Sequence, residues 1–270
     1  YWAPWNRDKL HRMYSVTKSF VSLAVGALVQ DGLVSLDDRI SSYFPEYGDL
    51  PPQLSALTIR DMLMMRTCHS VTTYKQGCDP TFIPSWKDDW VGSFFTAVPD
   101  HEPGTVFAYD TSSSHVLAAL VERLTGDSLL DYLKRRCFPS LHISPDTYIM
   151  KDPKGVSIGG SGLMMRPIDL MSVLLLLSRG MDGNVGKDYL DAALSPLSEV
   201  PGLLFSGYGY FFWTLPGGAY AMHGMGGQLA YYDPSSDIVV VTTAATQGVK
   251  GGDEAILGVI QGIVEGLGDD

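Results

Sequence analysis

The chain changes from helical segments to short strands about two thirds of the way along, and this order constrains its fold most. Apolar residues at helical spacing over 15–30 predict a well-buried helix, which Asp31-Gly32 ends. The last third has β-rich runs with short connections, which pair antiparallel. Those strands are predicted at 207–213, 219–223, 228–232 and 238–244. Helices followed by an antiparallel sheet predict an α+β fold instead of alternating βα units.

Further helices are predicted between these regions, and one closes the chain. Thr58, with Asp61 in the first turn, caps a helix over 59–65. The others are predicted at 86–96, 113–124, 129–137, a segment ending at 179, and 253–266. Together they predict one domain over residues 1–270. Its mostly helical lobe spans roughly 33–165, and its sheet lobe, with flanking helices, spans roughly 1–32 and 166–270.

The charge balance excludes several partners. Thirty acidic side chains outnumber nineteen basic ones, giving a net charge of −11, whereas nucleic-acid binding needs clustered Lys and Arg. No apolar run approaches the roughly 18 residues of a membrane-spanning helix. Three cysteines are too few for a disulfide scaffold. A reduced, cytoplasmic location is therefore favoured, although one cysteine pair remains able to form a bridge.

Ser15 and Lys18 form an S-x-x-K pattern at the start of the first helix. Residues i and i+3 share a helix face, so the lysine can reach the serine hydroxyl. A serine nucleophile needs a base, and lysine is one only if burial or a nearby cation lowers its pKa. The helix N-terminus is also expected to turn backbone N–H groups toward an oxyanion. Alternatively, Ser15 only caps the helix and Lys18 is solvated.

Two further segments add to this pattern. Tyr109 stands in a loop before a helix, where a tyrosine facing a Ser–Lys pair can relay protons; packing under the loop is the alternative. The segment His223-Gly224-Met225-Gly226-Gly227-Gln228 lies between two predicted strands. Its glycines allow a ligand to approach the backbone closely, and its N–H groups can face a substrate carbonyl. The alternative is an ordinary glycine-rich hairpin turn.

These three segments stand in the order of the three motifs of the penicillin-recognising serine hydrolases, and the chain resembles that family. The likeness spans about residues 13–244 and is greatest to the class-C-like branch of β-lactamases, DD-peptidases, esterases and nylon-oligomer hydrolase. Four supporting segments also resemble that branch: 32–38, 57–63, 102–104 and 160–163. In the nylon-oligomer-hydrolase type, a Gly-x-x-Gly-Gln segment replaces K-T-G, and 224–228 is similar to it.

The resemblance implies a role for each matching residue. Ser15 would be the acylated nucleophile, Lys18 its base, and Tyr109 the proton shuttle to the leaving group. The N–H groups of Ser15 and of Met225 or Gly226 would form the oxyanion hole beside Gly224. The substrate would be a small ester, amide or peptide, and no metal or organic cofactor is implied.

The sequence departs from the family pattern at two substrate-binding positions. Thr111 stands where the second motif has Asn, and His223 where the third has Lys. A histidine that is mostly neutral at pH 7 recognises a carboxylate less well than lysine does. Both departures favour an esterase, amidase or peptidase over a β-lactamase or DD-peptidase proper.

Other functions compete with this interpretation. Ser157 lies in a G-x-S-x-G pattern followed by Asp169 or Asp191 and then His223, the chain order of an α/β-hydrolase, but no strand is predicted before it. A non-catalytic sensor domain on the same fold is a further alternative. His101-Glu102 and Cys68-His69…Cys78 lack the spacing of a metal site.

Two features of the chain leave questions open. The aromatic side chains of Trp86, Trp90, Phe94 and Phe95 predict either a pocket wall or a small helix core. Family members place a helix and two strands before S-x-x-K, whereas fourteen residues precede Ser15 here. N-terminal sheet strands are therefore expected to be missing from this chain, and a signal peptide is not excluded. The sequence predicts no oligomeric state.

Overall fold

The computed structural model describes residues 1, 3–73, 89–200 and 204–268. Among these residues, the helices are α1 Val16–Gln30, α2 Pro52–Ala56, α3 Ile59–Leu63, α4 Trp90–Thr96, α5 Thr111–Thr125, α6 Leu129–Tyr132, α7 Pro167–Ser178, α8 Lys187–Ala193 and α9 Gly252–Gly268. The strands are β1 His11–Arg12, β2 Tyr148–Ile149, β3 Leu163–Met165, β4 Ser198–Glu199, β5 Gly207–Tyr208, β6 Trp213–Thr214, β7 Tyr220–Gly224, β8 Gln228–Asp233 and β9 Ile238–Thr242.

The strands form two antiparallel sheets. The larger has the order β4-β5-β6-β7-β8-β9, so consecutive strands pair as neighbours. The smaller, in the order β1-β3-β2, was not predicted, because two- and three-residue strands carry no readable alternation. Helices followed by antiparallel strands confirm the α+β prediction.

Helix α1 lies at the centre of the molecule, as its two apolar rows predict. Its residues from Val16 to Leu28 are all buried, and it packs against α5, α8 and β7. A Cβ on Gly26 would overlap the Tyr189 ring, so a glycine here lets α8 cross closely. This close packing holds α1 in place, and with it the side chains at the start of the helix.

The predicted strand over 207–213 is wrong as a single element. β5 and β6 pair with each other, Tyr208 opposite Trp213, through a tight turn in which Phe211 has φ 61°. Ser19 Oγ on α1 donates to the Phe211 carbonyl at 2.7 Å. This contact joins residues 192 positions apart, which explains why the local pattern does not reveal the turn.

The other helix predictions differ mainly at their ends. Thr58 caps α3 in a reciprocal capping box with Asp61, as predicted. The segment predicted at 129–137 is a short α-helix continued by a π turn at Leu133–Cys137. The short α2 and α8 were not predicted. No helix in the described part of the chain is both long and apolar enough to cross a membrane.

Candidate active site

Ser15 and Lys18 meet at the start of α1, as their spacing predicts. Lys18 Nζ lies 3.0 Å from Ser15 Oγ and 2.8 Å from the carbonyl oxygen of Gly160, to which it donates. Lys18 is 1% exposed, and the Ser15 side chain makes no capping hydrogen bond. The alternative of a capping serine and a solvated lysine is therefore wrong.

The backbone before Ser15 is held in an unusual conformation. Tyr14 has φ 46°, in the left-handed region that non-glycine residues seldom adopt. Its carbonyl accepts from the backbone N–H and from Oγ1 of Thr17, at 3.0 and 2.6 Å. Thr17 Oγ1 in turn accepts from the Leu163 N–H on β3 at 3.1 Å. The short β3 thus sets the position of the serine.

The first amides of α1 do not face an oxyanion, contrary to the prediction. The N–H groups of Val16, Thr17 and Lys18 donate to the carbonyls of Met13, Tyr14 and Ser15, at 3.0–3.1 Å. These three donors are therefore already paired. The Ser15 N–H remains the candidate donor on this side of the site.

Burial sets the ionisation of Lys18. Desolvation lowers its pKa from 10.5 to about 7, against an opposing pull from the carboxylate of Asp110. At neutral pH a substantial fraction of Lys18 is therefore the free amine, which can accept a proton.

Tyr109 completes the cluster. Its ring centroid lies 4.9 Å from Lys18 Nζ, and its phenol lies close enough to Ser15 for that side chain to influence its pKa. The ring stacks on Trp213 at 5.7 Å and meets the Tyr208 ring edge-on. Desolvation raises the pKa of Tyr109 to about 12, so the phenol stays protonated at neutral pH.

Asp110 is a site residue that the sequence analysis missed. It is fully buried and caps α5 by accepting from the N–H and hydroxyl of Ser112. Burial raises its pKa to about 6, against the hydrogen bonds of Ser112 and the charge of Lys18. Its position before a helix matches an N-cap residue, which is the signal that was available.

The glycine-rich segment after β7 reaches the same place. A Cβ on Gly224 would overlap the Met13 carbonyl oxygen and lie 3.2 Å from the Ser15 nitrogen. Only a glycine allows the end of β7 to approach the serine backbone this closely. Met225 follows, 42% exposed, and Gly226 has φ +83°. The amides of Met225 and Gly226 thus lie just beyond the strand end that touches Ser15.

The side chain of His223 has a carboxylate partner. Its Nε2 lies 3.0 Å from Asp253 Oδ2 at the start of α9, and Thr246 Oγ1 holds the other carboxylate oxygen at 3.1 Å. Burial lowers the pKa of His223, although Asp253 opposes the shift. His223 and Asp253 line a cavity together with Met225, Gly226 and Glu254.

Other predicted positions lie near the site or in the core. Thr111 is the first residue of α5, half-buried, and its N–H donates to Thr72 Oγ1 at 3.0 Å. Phe94 and Phe95 are core residues, as the alternative to a pocket wall predicts. Trp90 is half-buried beside His115, whereas Trp86 and Cys78 lie outside the described residues.

The residues of the α/β-hydrolase alternative do not meet. Ser157 is 1% exposed, and its N–H contacts Glu122. Asp169 is paired with Arg166 and Asp191 with Lys187, while the carboxylate beside His223 is Asp253. That alternative is wrong. Over the described ranges, three or more His, Cys, Asp or Glu side chains nowhere gather as a metal site would require.

Comparison with known sequences decides the family. The sequence profile of the Beta-lactamase family matches residues 1–261. The chain belongs to this family. The resemblance to penicillin-recognising serine hydrolases is thereby confirmed.

Named relatives and a solved structure agree with this membership. The 6-aminohexanoate-dimer hydrolase of Paenarthrobacter ureafaciens is 25% identical over 214 residues, which cover 74% of this chain and 50% of that protein. The lovastatin esterase of Penicillium rubens is 28% identical over 165 residues, 54% of this chain and 41% of that protein. The structure of a putative 6-aminohexanoate-dimer hydrolase from Bacillus anthracis superposes with a TM-score of 0.82 at 18% identity, covering 99% of this chain and 75% of that one. The chain spans about half the length of the curated relatives.

Proposed function

We propose that this Beta-lactamase-family chain is a serine hydrolase that cleaves an ester or amide through an acyl-enzyme on Ser15. One observation carries the proposal: Lys18 Nζ is buried 3.0 Å from Ser15 Oγ, with its pKa lowered to about 7. A lysine in that state is a base at neutral pH, and a solvated one is not. The names of the hydrolase and esterase relatives support the same reaction class.

The two ionisable groups beside the serine take different roles in the proposed acylation. Neutral Lys18 accepts the Ser15 proton while Oγ attacks the carbonyl carbon. Tyr109, protonated because its pKa is raised to about 12, donates its proton to the leaving oxygen or nitrogen as the bond to carbon breaks. Protonated Lys18 then gives its proton to the phenolate oxygen of Tyr109, so both groups return to their starting states.

The developing oxyanion would lie between α1 and the end of β7. The Ser15 N–H is one proposed donor, and the N–H of Met225 or Gly226 is the other, because Gly224 brings that turn against the Ser15 nitrogen. Water would attack the acyl carbon by the reverse route, with the Lys18–Tyr109 pair removing its proton. One such donor is worth about 2.7–4 kcal/mol of the barrier.

The surroundings of His223 favour neutral substrates over the carboxylate-bearing β-lactams. Burial lowers the pKa of this imidazole, and its Nε2 is engaged by Asp253. A family lysine at this position would offer a full positive charge, whereas the His–Asp pair offers none to an incoming carboxylate. We therefore propose esterase or amidase activity ahead of β-lactamase or DD-peptidase activity.

A substrate panel tests the proposal. Purified protein is assayed with p-nitrophenyl butyrate, a D-alanine amide and nitrocefin, beside Ser15→Ala and the matched control Ser157→Ala. We expect steady hydrolysis of the ester or the amide, abolished by Ser15→Ala and kept by Ser157→Ala. Intact-mass spectrometry of a rapid quench is expected to show an acyl adduct that Ser15→Ala lacks.

Other outcomes identify the rival functions. Hydrolysis that survives Ser15→Ala would refute the proposed nucleophile. An adduct that forms and is never released would indicate a sensor domain. Faster turnover of nitrocefin than of neutral esters would favour a β-lactamase.

A further inference from the structure

Gln228 joins the candidate oxyanion turn to a distant loop. It is the first residue of β8, 2% exposed, and directly follows the turn at 225–227. Its Nε2 lies 2.7 Å from the Ala244 carbonyl oxygen, 3.0 Å from that of Gly226 and 3.4 Å from that of Met225. A side-chain amide has two hydrogens, so these three carbonyls share them.

The turn itself has little intrinsic rigidity. Gly226 and Gly227 both have φ +83°, and glycine populates many backbone conformations freely. A Cβ on Gly226 would overlap the Gln247 side chain, so the glycine lies against the loop after β9. The turn must therefore be held from outside if its amides are to keep one direction.

Three hydrogen-bond donors fix the turn from outside. Besides Gln228, the Thr246 N–H donates to the Gly226 carbonyl at 3.3 Å, and Thr242 Oγ1 donates to the Gly227 carbonyl at 3.1 Å. Gln228 differs from the other two because it is buried and bridges the turn to Ala244, sixteen residues away. A trans peptide places each carbonyl opposite the following N–H, so the contact with the Met225 carbonyl orients the Gly226 N–H, one of the two proposed oxyanion donors. The contacts with the Gly226 carbonyl fix the other end of the same residue.

We propose that Gln228 is a positioning residue that aims the oxyanion-binding amide of the 225–227 turn. This inference rests on the proposed function, in which that turn supplies the second oxyanion donor. Losing such a donor outright lowers kcat about 10²- to 10³-fold. Because Thr246 and Thr242 still hold the turn, we expect the loss of Gln228 to lower kcat about 10- to 100-fold.

The test compares Gln228→Met, which keeps an unbranched side chain of similar length but has no N–H, with the control Gln30→Met. Gln30 Nε2 also donates to a backbone carbonyl, that of Gly183 at 2.9 Å, but on the surface. With p-nitrophenyl butyrate we expect Gln228→Met to lose kcat with KM changed less than about threefold, because only transition-state binding is weakened. Binding of phenylboronic acid, which forms a tetrahedral adduct on serine, should weaken by a similar factor.

A purely structural role would give a different result. It would lower the melting temperature while kcat, corrected for the folded fraction by circular dichroism, stayed at the wild-type value; that outcome overturns the inference. If Gln228→Met does not fold, Gln228→Leu, which also lacks the N–H, replaces it, and unchanged kcat and boronate affinity in that folded variant would equally overturn the inference. Absence of Ser15-dependent hydrolysis in the wild type overturns the proposed function as well. Normal kcat in a folded Gln228→Met beside an active, Ser15-dependent wild type overturns the Gln228 role alone.

Discussion

Replacing Lys18 by methionine tests whether burial of the proposed base destabilises the folded protein. Methionine fills a similar unbranched volume and has no charge. Folding lowers the pKa of Lys18 from 10.5 to about 7, and each unit is worth about 1.4 kcal/mol. At pH 7 the burial of this amine therefore costs about 4 kcal/mol of folding free energy. The substitution removes this cost, but it also loses two hydrogen bonds and leaves the Gly160 carbonyl unpaired, which together cost about 2–3 kcal/mol.

The difference between the variants should depend on pH in a definite direction. Because the folded pKa of Lys18 lies below the unfolded one, the unfolded wild type binds more protons between about pH 7 and 10.5. The free energy of unfolding of the wild type thus rises with pH across that window, by about 1.4 kcal/mol per unit from this group. Lys18→Met lacks this term. We expect it to be about 1–2 kcal/mol more stable than wild type at pH 7 and no more stable by pH 9.

Guanidinium unfolding at pH 7, 8 and 9, with ester hydrolysis measured on the same samples, checks this expectation. Lys187→Met is the control, because Lys187 is on the surface with 82% of its side chain exposed and should give no such pH trend. Activity of Lys18→Met should fall by several orders of magnitude. Destabilisation of about 2 kcal/mol or more at pH 7, or a stability difference that stays constant up to pH 9, would refute the reasoning.

Three other outcomes follow from the geometry. The kcat/KM of ester hydrolysis should rise with pH and reach half its plateau near pH 7, where Lys18 becomes neutral. Asp110→Asn keeps a good helix cap but removes the charge that raises the pKa of Lys18, so this rise should occur at lower pH in the variant. A rise at the same pH would contradict an effect of Asp110 on Lys18. Tyr109→Phe should keep the stack on Trp213 and lose about 10²- to 10⁴-fold in kcat, with near-ultraviolet circular dichroism unchanged; retained kcat would remove Tyr109 from the proton path. Gly224→Ala places a methyl group on the Met13 carbonyl, so esterase activity should collapse, whereas Gly258→Ala, with open space around its Cβ position, should leave the rate unchanged.

The sequence by itself predicted what depends on local spacing. The apolar rows of α1, the capping of α3 by Thr58 and the antiparallel order of the later strands follow from periodicity and turn residues within one segment. The pairing of Ser15 with Lys18 is local in the same way, since three residues along a helix bring two side chains onto one face. The family follows from motifs in chain order, which needs no coordinates.

The tertiary structure decided what depends on groups far apart in the chain. The carbonyl of Gly160, 142 residues from Lys18, accepts a hydrogen bond from the amine. Burial by the surrounding fold lowers the pKa of Lys18 to about 7, which makes it a base at neutral pH. The turn that splits β5 from β6, the pairing of His223 with Asp253 and the contact of Gln228 with Ala244 likewise depend on distant partners. Spacing along a helix shows which side chains can meet, but ionisation and orientation depend on solvent exclusion by the whole fold, which no single segment encodes.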